Sequence, residues 1–328
     1  MKEKFLGCMY GLAIGDALGA PVEFMSLDEI KRKYGQQGIT DYDSWSGFPP
    51  GAYTDDTQMS LATAVGCIRA QLRWLDRGIC HLPSVVYARY MDWLKTQDDR
   101  YQRRAPGNTC LQALRSHKMG SIEEKINNSK GCGGVMRTAP LGLVVEASKA
   151  FRYGAECAAI THGHPSGYLT AGFLSELICH LTAGRRLEDA IEISTLALTK
   201  YDDYQESLKI ITKAQELAKS EKSVEQAIKM LGAGWIGEEA LAISLYCSLK
   251  FKDDWLAGTL AAVNHSGDSD STGSITGAIL GTINGHKAIP VSFIKRLENQ
   301  RQIKKISDDM YQLFVKGKKL SHEEYPPC

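Results

Sequence analysis

The sequence NHSGDSDSTGSITGAILGTING, which runs from Asn264 to Gly285, contains the feature around which this chain is organised. Its last four glycines lie four residues apart, and a second set with the same spacing occupies residues 5–20: Gly7, Gly11, Gly15 and Gly19, against Gly273, Gly277, Gly281 and Gly285. Glycine costs about 1 kcal/mol per residue inside a helix, so such a stripe needs a reason. A face without side chains lets another backbone approach closely. The two stripes therefore predict that these helices pack face to face, unless each packs against a different neighbour.

An acidic cluster begins the same stretch. Asp268 and Asp270 are two residues apart at the predicted N-terminus of the helix, and hydroxyl side chains surround them (Ser269, Ser271 and Thr272). Oxygen ligands of this kind suit hard cations such as Mg²⁺ and Mn²⁺. The ordinary alternative is an N-cap, in which these side chains accept hydrogen bonds from the first free amides of the helix.

A second acidic cluster lies near the other end of the chain. Thr54, Asp55, Asp56 and Thr57 again combine carboxylates with hydroxyls ahead of a predicted helix. Adjacent carboxylates repel each other unless a cation or several hydrogen-bond donors lie between them. If the fold joins the two clusters, four carboxylates and their hydroxyls would be sufficient for two divalent ions that share a bridging aspartate.

Composition narrows the class of protein. The chain has 328 residues, of which 43 % are hydrophobic and 23 % charged, and its formal net charge is +1. This near-neutral balance argues against nucleic-acid binding and against attachment to a membrane surface. No segment has the apolar length of a membrane span, and the N-terminus has no signal-peptide core. The nine cysteines show no C-x-x-C spacing, so we expect reduced thiols in a cytoplasmic protein and no zinc site.

Hydrophobic periodicity predicts an all-α domain that covers residues 1–328, with a mobile charged tail from about residue 317. Strand-like alternation is nearly absent. Helices are predicted at residues 5–20, 57–76, 83–96, 107–119, 147–160, 166–183, 187–199, 204–219, 223–231, 237–250, 253–263, 272–285 and 290–316.

Three further segments are candidate parts of a site. The glycine-rich loop at residues 129–137 would let backbone amides approach phosphate oxygens, with Lys130 or Arg137 adding charge, although a flexible surface turn is the simpler explanation. His162, in THGHP, suits a substrate hydrogen bond or a packed histidine better than a metal ligand. Trp235, between two glycines, would stack on a base or pack in the core. Glu23, in the GDALGAPVEF segment that also contains Asp16, is on its own most simply a solvated surface acid.

The ordered set of motifs resembles the ADP-ribosylglycohydrolase family. The matching segments are GDALGAPVEF (15–24), TDDTQM (54–59), GCGGVMRTAP (131–140), THGHP (161–165), EEALAI (238–243) and SGDSDSTG (266–273). They follow the family's order and span residues 7 to about 285. The resemblance implies a compact, single-domain orthogonal helical bundle with a binuclear Mg²⁺ or Mn²⁺ centre.

The resemblance also implies roles for individual residues. Thr54, Asp55 and Asp56 would hold one ion and Asp268 and Ser271 the other, with Asp270 bridging. Glu23, Asp56 and Asp270 would be the catalytic residues, and Glu23 would assist the water or control entry of substrate. The substrate would contact Ser129, Lys130, Gly131, Cys132, Gly133, Gly134, His162 and Trp235. The chain departs from many relatives at Cys132, where they have Asn, and at Ser271, where some have Thr. At Lys130 some relatives have an aromatic residue that contacts adenine.

The function implied is hydrolysis of ADP-ribose from a modified protein side chain, with arginine as the favoured linkage and ADP-ribose as product. A cognate ADP-ribosyltransferase or toxin would then be a natural partner. The alternatives are hydrolysis of an O-linked or small-molecule conjugate, and a binding or immunity protein that captures modified targets or blocks a toxin. A structural cation site in an unrelated helical protein would leave Glu23 and the glycine-rich loop unexplained.

Overall fold

The computed structural model describes residues 1–326, and helices are its only regular secondary structure apart from two isolated β-bridges. This confirms the predicted all-α class. The helices are α1 (Lys2–Gly19), α2 (Leu27–Tyr34), α3 (Asp55–Arg77), α4 (Leu82–Thr96), α5 (Asn108–Arg115), α6 (Ala139–Val144), α7 (Ala147–Ala159), α8 (Pro165–Thr182), α9 (Leu187–Leu198), α10 (Gln205–Ala218), α11 (Val224–Leu231), α12 (Gly237–Lys250), α13 (Trp255–Val263), α14 (Ser269–Asn284), α15 (Val291–Arg296) and α16 (Gln300–Phe314), with 3₁₀ turns at Cys132–Gly134 and His286–Ala288. In this described part, no helix is both long enough and apolar enough to cross a membrane.

The glycine stripes of α1 and α14 face each other, as predicted. A Cβ atom built on Gly7, Gly11 or Gly15 would lie only 2.0 Å from a carbonyl oxygen of α14. The opposing residues are Gly281, Gly277 and Gly273 in that order, so the two helices run antiparallel. Since real side chains never approach a backbone oxygen so closely, only glycine permits this contact. It joins the first helix of the chain to a helix more than 250 residues later and sets the C-terminal end of α1, which carries Asp16, beside the acidic N-terminus of α14.

Helix α8 lies at the centre of the bundle. Its apolar side chains are buried on opposite faces, for example at Leu169, Ala171 and Phe173, which have no exposed surface. A helix that is hydrophobic on all sides needs neighbours on all sides. Helices α6, α7, α9 and α12 supply them.

Several helix boundaries differ from the predicted ones for local reasons. The predicted helix 290–316 is divided into α15 and α16, because Asn299 adopts a left-handed conformation with φ 50°. Helix α2 was not predicted, although Ser26 and Glu29 form a capping box at its start. Helix α6 was not predicted either. Helices α3 and α14 begin at Asp55 and Ser269, earlier than expected, so the acidic residues belong to their first turns.

The tail beyond residue 317, for which we predicted mobility, packs on α3 and α16 as far as it is described. The ring of Tyr325 is buried and its hydroxyl donates to Oδ2 of Asp309 at 2.6 Å. His322 Nε2 lies 2.6 Å from Oδ2 of Asp76. These contacts hold the described part of the tail against α3 and α16.

Candidate active site

The site is built on Asp16, which lies between the glycines of α1 and has no exposed surface. Its Oδ1 accepts a hydrogen bond from the Thr54 amide at 2.9 Å, and its Oδ2 accepts from the Thr57 amide at 2.9 Å and the Thr57 hydroxyl at 2.5 Å. One carboxylate therefore ties the start of α3 to α1. We did not assign Asp16 to the site from the sequence, although an acidic residue inside a glycine stripe was a signal that could have identified it.

The two acidic clusters come together at the adjacent N-termini of α3 and α14. Asp55, Asp56, Asp268 and Asp270 are all buried. Burial raises the pKa of each of these carboxyl groups, and the charge of Asp270 raises the pKa of the other three further. The Thr54 side chain lowers the pKa of the Asp270 carboxyl group, so the two clusters interact directly. The structure thus brings the two predicted acidic clusters together, and the acids stabilise one another's protonated forms.

The N-cap alternative accounts for only half of this cluster. The Thr54 hydroxyl accepts from the Asp56 amide at 3.2 Å, and Asp268 Oδ1 accepts from the Ser271 amide at 3.2 Å, so both are true helix caps. Oδ2 of Asp56 and Oδ1 of Asp270 are also buried, but neither has a hydrogen-bond partner. Buried carboxylate oxygens without partners are costly. Capping leaves these two oxygens unexplained.

A hard divalent cation fits this donor set. The two unpartnered oxygens, the neighbouring carboxylates and the hydroxyls of Thr54 and Ser271 are the ligand types that Mg²⁺ and Mn²⁺ take. Within residues 1–326 no three His, Cys, Asp or Glu side chains form a ready-made ligand group. An ion at this position would therefore also need the hydroxyls and water, which agrees with the tendency of Mg²⁺ to retain several water ligands.

Glu23 and Phe24 lie at the edge of the cluster, in the turn that follows α1. Partial burial, then the charges of Asp270 and Asp268, raise the pKa of Glu23 to about 11. Phe24 has φ 67°, a conformation that is strained for a bulky residue, and 73 % of its surface is exposed. Its ring stacks on Trp235 with centroids 5.0 Å apart. Trp235 is itself 39 % exposed, so the interpretation of this residue as core packing was wrong.

The glycine-rich loop is held beside the cluster by the segment around Trp235. The Cys132 amide donates to the Trp235 carbonyl at 3.1 Å, and the Gly237 amide donates to the Lys130 carbonyl at 2.8 Å. The Cys132 thiol donates to Oδ2 of Asp268 at 2.7 Å. The loop is therefore not the flexible surface turn of the simpler explanation. It is a fixed wall of the site, joined to α14 through Cys132.

The two positively charged residues of this loop, Lys130 and Arg137, already make contacts inside the protein. Lys130 Nζ donates to Glu206 Oε1 at 2.5 Å and to Glu238 Oε1 at 2.6 Å. Arg137 has no exposed surface. The expectation that either residue supplies a free positive charge for phosphate is thus not met, because internal contacts occupy both. The backbone amides remain the loop's means of binding an anion.

His162 lies against the glycines of this loop. The residue is 1 % exposed, and a Cβ atom built on Gly133 would be 3.0 Å from its Cε1. Burial, then the charge of Arg137, lowers the pKa of His162 to about 3, so the ring is neutral at ordinary pH. Ser129, the first residue of the loop, makes a 3.1 Å hydroxyl contact with Thr109.

Comparison with proteins of known sequence shows relatives that match over nearly the whole chain. A protein of Rhodospirillum rubrum named ADP-ribosyl-[dinitrogen reductase] glycohydrolase is 27 % identical, with 95 % of this chain and 97 % of the relative covered. The ADP-ribosylarginine hydrolase Tri1 of Serratia proteamaculans is 24 % identical, with 94 % and 79 % covered. The ADP-ribosylhydrolase ARH3 of Bos taurus is 23 % identical, with 96 % and 94 % covered.

A solved structure described as an ADP-ribosylglycohydrolase-related protein complex has a similar fold. It matches with a TM-score of 0.68 at 23 % identity, over 95 % of this chain and 98 % of its own. The family model for ADP-ribosylglycohydrolase matches residues 1–319. The match spans both acidic clusters, the glycine-rich loop and His162, and this chain belongs to the ADP-ribosylglycohydrolase family.

Proposed function

We propose that this protein is a metal-dependent hydrolase that removes ADP-ribose from modified protein side chains by cleaving the N-glycosidic bond to arginine. Family membership supports an enzyme that removes ADP-ribose from modified targets. Two relatives, named for action on ADP-ribosylated dinitrogen reductase and on ADP-ribosylarginine, support the protein substrate and the linkage. The observation that carries the proposal is the pair of buried, unpartnered oxygens of Asp56 and Asp270 within a cluster of carboxylates.

Two Mg²⁺ or Mn²⁺ ions would be held where the N-termini of α3 and α14 meet. Thr54, Asp55 and Asp56 are the candidate ligands of one ion, Asp268 and Ser271 of the other, and Asp270 of both. When bound, such ions polarise water and sugar hydroxyls and offset the negative charge of the buried acids. They would also satisfy the two unpartnered oxygens.

The chain's own residues would orient the substrate and move a proton. Glu23 stands at the edge of the cluster, where the surrounding charges make its carboxyl group a ready proton acceptor or donor, depending on how far they are neutralised. The glycine-rich loop would bind the diphosphate through its amides, with His162 beside it. Phe24 and Trp235 present exposed aromatic surface next to Glu23, on which a base or a planar guanidinium group could stack.

The test is release of ADP-ribose from an ADP-ribosyl-arginine protein and from an ADP-ribosyl-serine peptide, each with Mg²⁺ and with EDTA. We expect Mg²⁺-dependent release from arginine. Asp56→Ala and Asp270→Ala should each reduce the rate at least about 100-fold, because they remove ligands and leave other charges unbalanced. Asp189→Ala, an exposed acid that pairs with Arg186 on the surface, is the matched control and should leave the rate unchanged.

Each outcome has a distinct meaning for the proposal. Release from serine alone would refute the arginine linkage and keep the hydrolase. Equal release in EDTA would refute the metal centre. Binding of ADP-ribose without release from either substrate would favour capture of modified proteins over turnover.

A further inference from the structure

Arg137 is a buried cation for which the structure shows no carboxylate partner. Its guanidinium group has no exposed surface, and its hydrogen bonds within residues 1–326 go to sulfur, carbonyl and hydroxyl acceptors, not to an acid. It lies 4.4 Å from the centre of the Tyr90 ring, and Nη2 donates to the Cys157 carbonyl at 3.3 Å. Its Nε has no partner at all. Buried charges are normally paired, so this arginine requires an explanation other than an ion pair.

The shortest contact of Arg137 leads towards the site. Nη2 donates to Oγ1 of Thr161 at 2.6 Å. Because a guanidinium group has only donors, Thr161 must accept here, and its own hydroxyl hydrogen points elsewhere. The choices are His162 Nδ1 at 2.8 Å and the Ala158 carbonyl at 3.5 Å. A hydroxyl hydrogen directed along the shorter contact makes Nδ1 of His162 the acceptor, whereas one directed at Ala158 would leave Nδ1 to donate to Oγ1.

The first of these two arrangements fixes the tautomer of His162. A neutral imidazole whose Nδ1 accepts a hydrogen bond carries its hydrogen on Nε2. That nitrogen faces the glycine-rich loop, 3.4 Å and 3.3 Å from Cβ atoms built on Gly131 and Gly133. Any side chain at Gly133 would crowd the ring, so the two glycines keep the space beside Nε2 open. The low pKa of His162 agrees with a ring that stays neutral.

We propose that Arg137 acts through Thr161 to hold His162 as a neutral Nε2–H donor, directed at an anionic oxygen of the ligand bound along the glycine-rich loop. Arg137 and Thr161 are then positioning residues, and their charge and hydroxyl never need to touch the ligand. The identity of the ligand, the diphosphate of ADP-ribose, rests on the proposed function above. The tautomer of His162 does not.

The tautomer is tested by ¹⁵N NMR of imidazole nitrogens in the wild-type protein, Thr161→Val and Thr161→Ser. We expect the Nε2–H form in the wild type and in Thr161→Ser, and loss of that single form in Thr161→Val, which keeps the shape but not the hydroxyl. His265, buried and in contact with Thr272, is the internal control whose signals should not move. A wild-type Nδ1–H form, or an unchanged Nε2–H form in Thr161→Val, overturns the relay. If Thr161→Val does not fold, Thr161→Ala replaces it.

The ligand contact is tested by calorimetric titration of the same proteins with ADP-ribose. Loss of one hydrogen bond to a charged oxygen should raise the dissociation constant about tenfold in Thr161→Val, and Thr161→Ser should restore it. Equal affinities overturn the donor role. If the wild-type protein does not bind ADP-ribose, the proposed function and the ligand contact fail together, while the NMR result still decides the relay.

Discussion

The contact between α1 and α14 makes a quantitative prediction for Gly11→Ala. The new methyl carbon would lie 2.0 Å from the Gly277 carbonyl oxygen and 2.7 Å from its carbon. Both are backbone atoms, so no side-chain rotation relieves the overlap, and the helices would have to separate by about 1 Å to restore ordinary contact. The same carbonyl accepts a 3.1 Å hydrogen bond from Trp255 Nε1, which such a movement would weaken.

The expected loss of stability follows from these contributions. Overpacking of this kind costs about 3 kcal/mol, and weakening the Trp255 bond adds about 1 kcal/mol. The higher helix propensity of alanine returns about 1 kcal/mol. The net loss is therefore about 3 kcal/mol, and it should lower the Tm by about 6 °C for a protein of this size.

Thermal unfolding followed by circular dichroism measures this change. Gly107→Ala is the matched control, because no heavy atom lies within 4 Å of a Cβ built on Gly107 and its φ of −60° suits alanine. Its loss should stay below about 1 kcal/mol. A Tm for Gly11→Ala within about 2 °C of the wild type would refute the argument that the helices are in backbone contact.

Three other perturbations have expected outcomes. In Asp16→Asn, a side chain that accepts three hydrogen bonds is replaced by one that turns an N–H group towards the Thr57 donors. We expect the free energy of unfolding measured in urea to fall by about 2 kcal/mol. We also expect half-maximal thermal stabilisation to need a higher Mg²⁺ concentration. In metal-free protein the folded-state pKa of Asp16 is raised to about 7 and that of Glu23 to about 11. The stabilising contribution of both groups is complete below about pH 4. That of Asp16 is lost as pH rises to about 7, and that of Glu23 continues to be lost towards about 11, so melts in EDTA should show Tm falling from pH 5 to pH 8 while the increment from Mg²⁺ grows. His162, with its lowered pKa, acts in the opposite direction below about pH 6.5, and a Tm in EDTA that rises from pH 5 to pH 8 would contradict the dominance of the carboxylates. Tyr325→Ala should release the tail from α16, so trypsin should cleave it faster, while ADP-ribose release should not change. Cleavage at the wild-type rate would show that the tail is already detached in the wild-type protein.

The fold was predictable where a short-range pattern had one physical explanation. Glycines four apart are expensive in a helix, so two such stripes predict a close backbone contact without any knowledge of the intervening chain. The two groups of acids and hydroxyls predict oxygen clusters at helix N-termini in the same way. Helix α6 carried no comparable signal, and the capping box of α2 was present but overlooked.

Local pattern said much less about which groups remain free to act. The charge of Lys130 suggested a phosphate ligand, but its partners Glu206 and Glu238 lie 76 and 108 residues further along the chain. Trp235 could equally have been a core residue, and only its stacking on Phe24 at the surface distinguishes the two interpretations. The ion pairs of Lys130 and the ring contact of Trp235 depend on how the helices pack, and residue spacing along the chain does not predict that packing.

By itself, the sequence determined the helical class, the face-to-face contact of α1 with α14 and the chemistry of the two acidic clusters, because each depends on residue types at short, regular spacing. Only the tertiary structure decided that Asp16 holds the start of α3, that two carboxylate oxygens remain unpartnered, and that Arg137 donates to Thr161 beside His162. The reason is physical. Hydrogen-bond partners and burial are set by distances between segments that are remote along the chain, and those distances exist only once the helices have packed.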